Sequence, residues 1–501
     1  MYLILCGSVA LGWACIVLRD RFYSSPFPPE PAGSLPILGV LRKHPKTEFW
    51  KTYAEWAKEY GPKGLISFHI IGRRITIVQT KEVANDLFNK RSATFNDRPF
   101  PIMVGVLMKR EKSIFSSPYN QRCKTYRRLM KQIMSPTASQ AYWGIQEEAA
   151  RYMVDKILES PENLFQHLRR NAAFVIMKIA YGYTINDYND HFVELAEEAM
   201  RVGSLAAAPG KWLVDSFPFY WFPGAGFKRQ AKIWREYLSR LASEPHQWVK
   251  DQMEKGSAEP SFTSKLLQDG DGKITTNEEL DDVVQWSAGA LYQAGGDTTV
   301  AAVRTFFFCM LMNPSVQRKA QAELDGFMEE EHRLPTLKDW SQGRLPYLDC
   351  IMLEVLRWHP PAPMGLFHAA AHDDVYQGYF IPAKTTIIGN IWGMMHDENV
   401  YPDPDVFDPD RFTGLNGRKV EDDPRQIVFG FGRRVCPGQH VAESSIWIQM
   451  ALVLASLSVE KAVDEQGRVV EPEVAFTTSL VSTVKPFQYK IVRRQGNKLL
   501  Q

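Results

Sequence analysis

The stretch Phe-Gly-Phe-Gly-Arg-Arg-Val-Cys-Pro-Gly occupies residues 429–438 of this chain. Gly430 and Gly432 lack a Cβ, so the loop can turn tightly and let a flat ligand approach its backbone. Pro437 suits the first turn of the apolar run that follows at residues 441–457. Cys436 would then lie where the free N–H groups and the dipole of a helix N-terminus favour an anion. The pattern predicts a thiolate held against a bound ligand.

Arg434 adds a permanent cation two residues before Cys436. A guanidinium pairs well with a carboxylate, so the loop fits a haem group, with the iron on the sulfur and a propionate on the arginine. The alternative for any single free cysteine is a buried, inert apolar residue, which is the commoner case. The surrounding sequence decides between the two.

The loop matches Phe-x-x-Gly-x-Arg-x-Cys-x-Gly, the pattern of the haem-binding loop of the cytochrome P-450 family, at all its fixed positions: Phe429, Gly432, Arg434, Cys436 and Gly438. The chain therefore resembles that family. The resemblance implies a haem b cofactor whose iron takes the Cys436 thiolate as its axial ligand. Such a thiolate pushes electron density onto the iron and favours O–O cleavage.

The composition fits one large globular unit. The 501 residues are 45% hydrophobic, and no internal repeat divides them. A formal net charge of +2 gives no indication of nucleic-acid binding. The cysteines are scattered without a Cys-x-x-Cys pair, so we expect neither a disulfide framework nor a zinc site, but a reduced, cytosol-facing body. They lie at Cys6, Cys15, Cys123, Cys309, Cys350 and Cys436.

The first apolar run, residues 2–18, is about as short as a helix that crosses a bilayer can be. No Lys or Arg precedes it, whereas Arg19 and Arg21 follow, so the positive-inside rule leaves the body of the chain in the cytoplasm. By resemblance to microsomal members of the family, we expect a single-pass anchor in the endoplasmic reticulum membrane at residues 1–20. A proline-rich hinge at 21–40 and the catalytic domain at 41–501 would follow. A cleaved secretory signal is the alternative.

A helix predicted over residues 117–134 carries Lys124, Arg127, Arg128 and Lys131 on one face. A solvated charged face is the simplest explanation. The resemblance adds a propionate contact from Arg127 and a basic surface for an acidic NADPH-cytochrome reductase. We expect that reductase to be a separate protein, since no flavin or nicotinamide segment follows Cys436. Cys123 stands where the family pattern Trp-x-x-x-Arg has tryptophan, which puts the propionate hydrogen bond from that position in question.

A long helix is predicted from Glu278 to Asn313, with Ala-Gly-Gly-Asp-Thr-Thr at its centre, residues 294–299. Each mid-helix glycine costs about 1 kcal/mol relative to alanine, so something must offset it. Small residues let a flat macrocycle and dioxygen approach, and a threonine hydroxyl can bond a carbonyl one turn back. A packing notch against another helix is the alternative. The segment resembles the family's oxygen-activation motif, which implies catalytic roles for Thr298, beside dioxygen, and Asp297, which would feed protons toward it.

Glu354 and Arg357 share one face of a predicted helix, and Arg411 lies downstream in Pro-Asp-Arg-Phe. An exposed pair of this spacing contributes little by itself. In the family the three corresponding residues form a buried network that braces the haem loop. The resemblance therefore implies a role in folding and haem retention.

Several segments are expected to wall a largely apolar substrate pocket. These are residues 101–114, the aromatic insert at 206–227, residues 364–367, the strand at 385–391 and the turn at 476–483. The insert interleaves prolines with aromatic rings, and is either a loop that roofs the channel and dips into the membrane or ordinary core. His368 is either a second propionate donor or a satisfied structural histidine.

The resemblance covers essentially everything after residue 30. It implies a mainly α fold with small β-sheets, in which haem lies between the long central helix and the helix after Cys436. We interpret the chain as a haem-thiolate monooxygenase that inserts one oxygen atom from dioxygen into an apolar small molecule. Residues 209–218 and 378–383 look most like fungal secondary-metabolism members of the O-methylsterigmatocystin oxidoreductase type, a resemblance that does not name the substrate. The expected apolar pocket fits a terpenoid or aromatic polyketide better than a charged metabolite. The alternatives are a haem-thiolate isomerase or dehydratase, a xenobiotic-oxidising member and a non-enzymatic haem sensor.

Overall fold

The computed structural model describes residues 25–36, 38–185, 190–207, 212–215, 226–270 and 272–494. The expected membrane anchor and the first part of the hinge lie outside these residues, as does most of the aromatic insert. Within the described ranges, no single helix is both long and apolar enough to cross a bilayer. The helices 278–312 and 314–331 meet that criterion only as a pair, which is bent by 106°.

The described chain is mainly α-helical. Its α-helices are α1 (Phe49–Tyr60), α2 (Lys81–Ala84), α3 (Ser92–Phe95), α4 (Gln121–Met134), α5 (Pro136–Ser139), α6 (Trp143–Glu159), α7 (Leu164–Tyr181), α8 (His191–Ala207), α9 (Gly226–Glu254), α10 (Phe262–Leu267), α11 (Glu278–Met312), α12 (Pro314–Glu331), α13 (Leu337–Ser341), α14 (Pro346–Trp358), α15 (Ile391–Met395), α16 (Arg425–Val428) and α17 (Gln439–Ser456).

The strands of the described residues form three small sheets. They are β1 (Leu65–Ile70), β2 (Arg73–Val78), β3 (His368–Ala369), β4 (Asp374–Tyr376), β5 (Tyr379–Ile381), β6 (Thr386–Gly389), β7 (Leu457–Glu460) and β8 (Lys490–Arg493). The largest sheet has the order β1-β2-β6-β3, in which β2 and β6 run parallel and the outer pairs run antiparallel. The strands β4 and β5 form one hairpin, and β7 pairs with β8. The mainly α fold with small sheets is confirmed.

The core lies where α6, α7, α11, α14 and α17 meet. Met153, Leu168, Phe306, Val355 and Trp447 contribute one side chain from each helix, and all are almost fully buried. The helix α17 is buried on nearly all sides, which explains why its sequence is apolar without a helical stripe. The loop 429–438 runs directly into this buried helix, so its position is fixed by the centre of the molecule.

Three predicted boundaries were wrong, and a polar cap or a loop explains each. The helix expected from residue 117 begins at Gln121, because the Asn120 side chain accepts from the Cys123 N–H at its N-terminus. The strand expected over 385–391 ends at Gly389, because Asn390 caps α15. The helix α17 begins at Gln439, so Pro437 precedes its first turn instead of forming it.

Candidate haem site

The loop 429–438 is closed by its own backbone. The N–H of Cys436 donates to the Phe429 carbonyl at 2.7 Å. Gly430 and Gly432 have φ values of +80° and +55°, so both use the conformation that glycine permits. A Cβ on Gly432 would lie 2.2 Å from the carbonyl oxygen of Phe88, so that position also excludes any side chain on steric grounds. Gly430 is therefore favoured by its positive φ alone, whereas Gly432 is required by both its φ and the space around it.

The thiol of Cys436 lies between this loop and the end of α4. An ideal Cβ on Gly438 would lie 4.0 Å from the Cys436 Sγ and 3.8 Å from the Met134 sulfur, so Gly438 leaves room beside the thiol. Burial raises the pKa of Cys436, while the backbone N–H of Gly438 and the charge of Arg127 act in the opposite direction. A coordinated metal ion deprotonates such a thiol outright. The position suits a metal ligand better than a free nucleophile.

Arg434 is buried, and its guanidinium is held by three different segments. Nε donates to the Asn96 carbonyl at 3.0 Å, Nη1 to the Cys123 Sγ at 3.0 Å, and Nη2 to the Ser117 carbonyl at 2.9 Å. A guanidinium has five N–H donors, so one on each terminal nitrogen remains for a further acceptor. Cys123, which replaces the expected tryptophan, is thus a direct partner of the loop arginine.

Two more arginines approach Arg434. Arg98 is buried, and its Nη1 donates to the carbonyls of Leu366 and Phe367, each at 2.7 Å. Burial and the nearby charge of Arg434 lower the pKa of Arg98 to about 9. Arg127 donates from Nη2 to the Val435 carbonyl at 2.8 Å, inside the same loop. Sequence reasoning identified Arg127 and Arg434 and missed Arg98, because only the tertiary fold brings residue 98 to the loop.

These arginines form a cationic cradle, which we define as Arg98, Arg127 and Arg434. Buried like charges repel one another, and no carboxylate among the described residues forms an ion pair with any of them. The Nε of Arg98 and both side-chain polar atoms of Asn96 are buried without a hydrogen-bond partner in the described chain. Two propionates would supply acceptors for the Arg98 Nε–H and the Asn96 Nδ2–H groups, together with the negative charge that the cradle lacks. The cradle therefore fits haem.

His368 lies in β3 beside this cradle. Its Nδ1 lies 2.8 Å from the Phe95 carbonyl, and its ring centroid lies 4.3 Å from that of Phe88. Burial and the charge of Arg98 hold the pKa of His368 well below its ordinary value. In the neutral ring Nδ1 donates to Phe95, which leaves Nε2 as an acceptor. His368 would have to gain a proton before Nε2 could donate to a propionate.

On the long helix, Thr298 forms the local hydrogen bond that a mid-helix threonine can make. Its hydroxyl donates to the Ala294 carbonyl one turn back at 2.7 Å. The two glycines face elsewhere: a Cβ on Gly295 would lie 3.0 Å from Ile176 of α7, and one on Gly296 would lie 3.7 Å from Met200 of α8. At Gly295 the structure therefore agrees with the alternative explanation, a notch that lets another helix pack closely. Ala294, which is exposed, and Thr298 are the small residues that share the open face of α11.

Asp297 precedes Thr298 and is partly buried. Burial raises its pKa, and the charges of Arg169 and Glu197 act on it in opposite directions. Those two residues form a long ion pair of 3.9 Å between α7 and α8, with both side chains about half exposed. Asp297 thus lies between the interior of the protein and a solvated polar pair.

The expected buried network is present. Arg357 donates to both carboxylate oxygens of Glu354, at 2.7 and 2.8 Å, and Arg411 donates from Nε to the same carboxylate at 3.2 Å. All three side chains are at most 1% exposed. The remaining guanidinium N–H groups donate to carbonyls between residues 395 and 406 and to Glu421. The helix α14 also contacts α16, which leads into Phe429, so the network supports the segment before the loop.

The pocket walls agree with the prediction only in part. Leu366 is exposed and Phe367 is partly buried, whereas Met364 is packed in the core. Phe476 is also in the core, stacked on the His359 ring at 3.6 Å. Of the aromatic insert, Trp212 and Phe227 pack against the core near α9, and the prolines and rings between them lie outside the described residues.

Comparisons with known proteins agree with this site. A family model described as Cytochrome P-450 matches residues 28–491, and the chain belongs to that family. Cytochrome P-450 monooxygenase claR of Ampulloclitocybe clavipes is 38% identical over 498 residues, covering 98% of this chain and 91% of the relative. Cytochrome P-450 monooxygenase 208 of Postia placenta is 36% identical, with 96% and 93% covered. Cytochrome P-450 monooxygenase ppsD of Aspergillus oryzae is 36% identical, with 99% and 94% covered.

The chain is thus a cytochrome P-450 monooxygenase, an oxidoreductase that acts on paired donors and incorporates molecular oxygen. Its cofactor is haem, held in this family by a cysteine thiolate. A redox partner, dioxygen and a small substrate follow from the same membership. Among the described residues, no group of three His, Cys, Asp or Glu side chains could hold a separate metal ion.

Proposed function

We propose that Cys436 is the axial ligand of the haem iron and that the cationic cradle binds the haem propionates. The observation that carries this assignment is the cradle itself: buried guanidiniums with unused N–H groups lie beside the loop that presents the cysteine. Phe429, Gly432 and Gly438 shape that loop. Glu354, Arg357 and Arg411 hold the segment that leads into it.

Haem supplies the activation of dioxygen and the transfer of one oxygen atom to the substrate. The chain's own residues bind and orient the reactants and transfer protons. Thr298 offers a hydroxyl on the open face of α11, where it can hold dioxygen and pass on a proton. Asp297 retains its proton more readily because burial raises its pKa. It can take up protons from the solvated side of the helix, where Arg169 and Glu197 lie. The two residues form a relay toward the reacting oxygen.

Electrons would enter from an NADPH-cytochrome reductase at the face of α4. Lys124, Arg128 and Lys131 are exposed there, whereas Arg127 turns inward to the haem loop. Arg433, in the loop itself, is exposed beside them. A surface with these cations attracts an acidic partner and steers its approach.

The substrate would be a small molecule with a large apolar body, oxidised in a tailoring step of fungal secondary metabolism. The support is the similarity to fungal monooxygenases and the apolar stretches around the site. Residues 1–20 would anchor the protein in the endoplasmic reticulum membrane, residues 21–40 would form the hinge, and residues 41–501 would form the cytoplasmic catalytic domain. The apolar run at residues 2–18, followed by Arg19 and Arg21, supports that arrangement.

The test of the haem assignment is the reduced carbon-monoxide difference spectrum of the full-length protein in microsomes. We expect the Soret band of a thiolate-ligated haem, and its loss in Cys436→Ser. Cys350→Ser is the matched control, because it changes a buried cysteine elsewhere and should keep the band. A thiolate band that persists in Cys436→Ser would refute the assignment.

The anchor has its own test. After a carbonate wash, the full-length protein should stay with the membranes, and a variant that lacks residues 1–20 should be released in larger part. A mature N-terminus near residue 20 would instead indicate a cleaved signal.

A further inference from the structure

The wall segment 101–114 was expected to be apolar, yet it contains a buried cation. Arg110 is 7% exposed, and its Nη2 donates to the Ser113 hydroxyl and to the Gln293 side-chain oxygen, each at 3.0 Å. Both acceptors are neutral. No carboxylate in the described chain pairs with this arginine, and no charged group contributes to its pKa, which burial lowers to about 10.

The guanidinium of Arg110 is only partly used. Its Nε is buried and has no hydrogen-bond partner, and its Nη1 donates to no acceptor in the described ranges. A buried cation without a counter-ion is costly, and a free N–H on it adds to that cost. An anionic oxygen that reached Nη1 would offset both. The residue is therefore prepared for a negatively charged partner that the described chain does not provide.

The position of Arg110 relates it to the catalytic site. Its acceptor Gln293 immediately precedes Ala294, whose carbonyl accepts from Thr298. Seven residues after Arg110, the Ser117 carbonyl accepts from Arg434 of the cationic cradle. The segment from 110 to 117 thus runs from α11, at the residue before Ala294, to the arginine beside the haem loop. A substrate held above the haem would lie next to this segment.

We propose that Arg110 binds a carboxylate of the substrate, so that the enzyme takes an acid with a large apolar body. This inference rests on the proposed function. Ser113 and Gln293 fix the plane of the guanidinium through Nη2, and Nη1 donates to the carboxylate in a charge-assisted hydrogen bond. The apolar part of the substrate would pack against the hydrophobic side chains of the same wall, including Val104, Leu107 and Ile114.

The probes are ω-(imidazol-1-yl)alkanoic acids of several chain lengths, each compared with its methyl ester. The imidazole binds the haem iron whatever the natural substrate is, and the shift of the Soret band reports affinity. We expect the acid to bind about tenfold tighter than the ester at the best length, because it adds a charge-assisted bond. Arg110→Gln should bring acid and ester to within about twofold of each other.

Two further variants separate charge from folding. Gln293→Glu gives Arg110 an internal carboxylate and should abolish the preference for the acid while the arginine remains. Arg110→Lys should keep part of the preference for the acid. Lys109→Gln, which removes the exposed charge next to Arg110, is the matched control and should bind like the wild type.

Wild-type protein that binds every ester at least as tightly as its acid would overturn the inference. So would an acid preference that survives both Arg110→Gln and Gln293→Glu. If the wild type lacks the thiolate Soret band, the proposed function fails first. A normal band with an imidazole shift but no acid preference refutes only the role of Arg110.

Discussion

Cys123 Sγ accepts a hydrogen bond from Arg434 Nη1 at 3.0 Å. The sulfur therefore fixes the arginine that we assign to a haem propionate, from the position where the family pattern has tryptophan. Cys123→Ala would leave that buried N–H without its acceptor, at a cost of about 1–3 kcal/mol. We expect a lower haem content per protein and a shifted reduction potential, measured by Soret absorbance and potentiometric titration.

Cys123→Ser restores an acceptor at this position and should recover most of the haem content. Cys309→Ala is the control for the lost side-chain volume. Cys309 is equally buried, but it belongs to α11 and packs in the hydrophobic core. It should reduce stability without a change in potential. An unchanged potential in Cys123→Ala would show that the Cys123 contact does not act on the haem.

We expect substitution by alanine to have different effects at the two loop glycines. Gly430→Ala meets only the strain of a positive φ, about 1–2 kcal/mol, because the nearest atom to its Cβ is 3.9 Å away. Gly432→Ala adds a backbone clash at 2.2 Å with Phe88. We expect Gly430→Ala to retain haem and Gly432→Ala to lose it in the carbon-monoxide spectrum. Equal haem content in both variants would contradict the close packing at Gly432.

Removal of the Glu354 carboxylate would leave two buried guanidiniums without their shared partner. Breaking a buried ion pair in this way costs about 3–5 kcal/mol. Glu354→Ala should therefore accumulate as protein without haem, as judged by the ratio of Soret to protein absorbance. Glu398→Ala breaks the exposed pair with Lys58, which contributes about 0–1 kcal/mol, and should stay loaded. A fully loaded Glu354→Ala would show that the network is dispensable.

Thr298→Ala removes the hydroxyl that donates to the Ala294 carbonyl. If this hydroxyl holds dioxygen and passes on a proton, the variant should still consume NADPH in the presence of reductase. It should release more hydrogen peroxide per NADPH than the wild type does. Thr298→Ser should restore the wild-type ratio. Thr305→Ala removes a similar bond to Ala301, buried further along the same helix, and should leave the ratio unchanged. Wild-type peroxide release from Thr298→Ala would remove Thr298 from the relay.

The sequence predicted the features that depend on residues close together in the chain. The closed loop at 429–438 and the Thr298 hydroxyl bond are local, so spacing and glycine chemistry were sufficient. Arg98 was missed because its link to Arg434 spans more than three hundred residues and leaves no local pattern. The orientation of Gly295 toward Ile176 depends on how α7 packs, which periodicity does not specify. The buried charge at Arg110 was overlooked because its neighbours Lys109, Glu111 and Lys112 are charged and exposed, and a run of charges of this kind usually faces solvent.

Asp349 gives the stability of the folded protein a dependence on pH. Its side chain accepts from the indole N–H of Trp447 at 2.7 Å, and burial raises its pKa from 3.8 to about 6. The folded state thus holds this proton more tightly than the unfolded state does. The free energy of unfolding should therefore fall as pH rises from about 4 to about 6, and remain lower above that range.

Asp349→Asn keeps an oxygen for Trp447 and removes the ionisation. It should stabilise the holo-protein by about 1–2 kcal/mol at pH 7.5, below the full value of the shift because the group is only partly buried. The gain should roughly halve at pH 5, as measured by urea unfolding. Asp339→Asn should do the opposite: Arg333 holds the pKa of Asp339 down to about 2 against the effect of burial, so this carboxylate stabilises the fold at both pH values. A loss of stability in Asp349→Asn at pH 7.5 would mean that the charged form is the one the fold prefers.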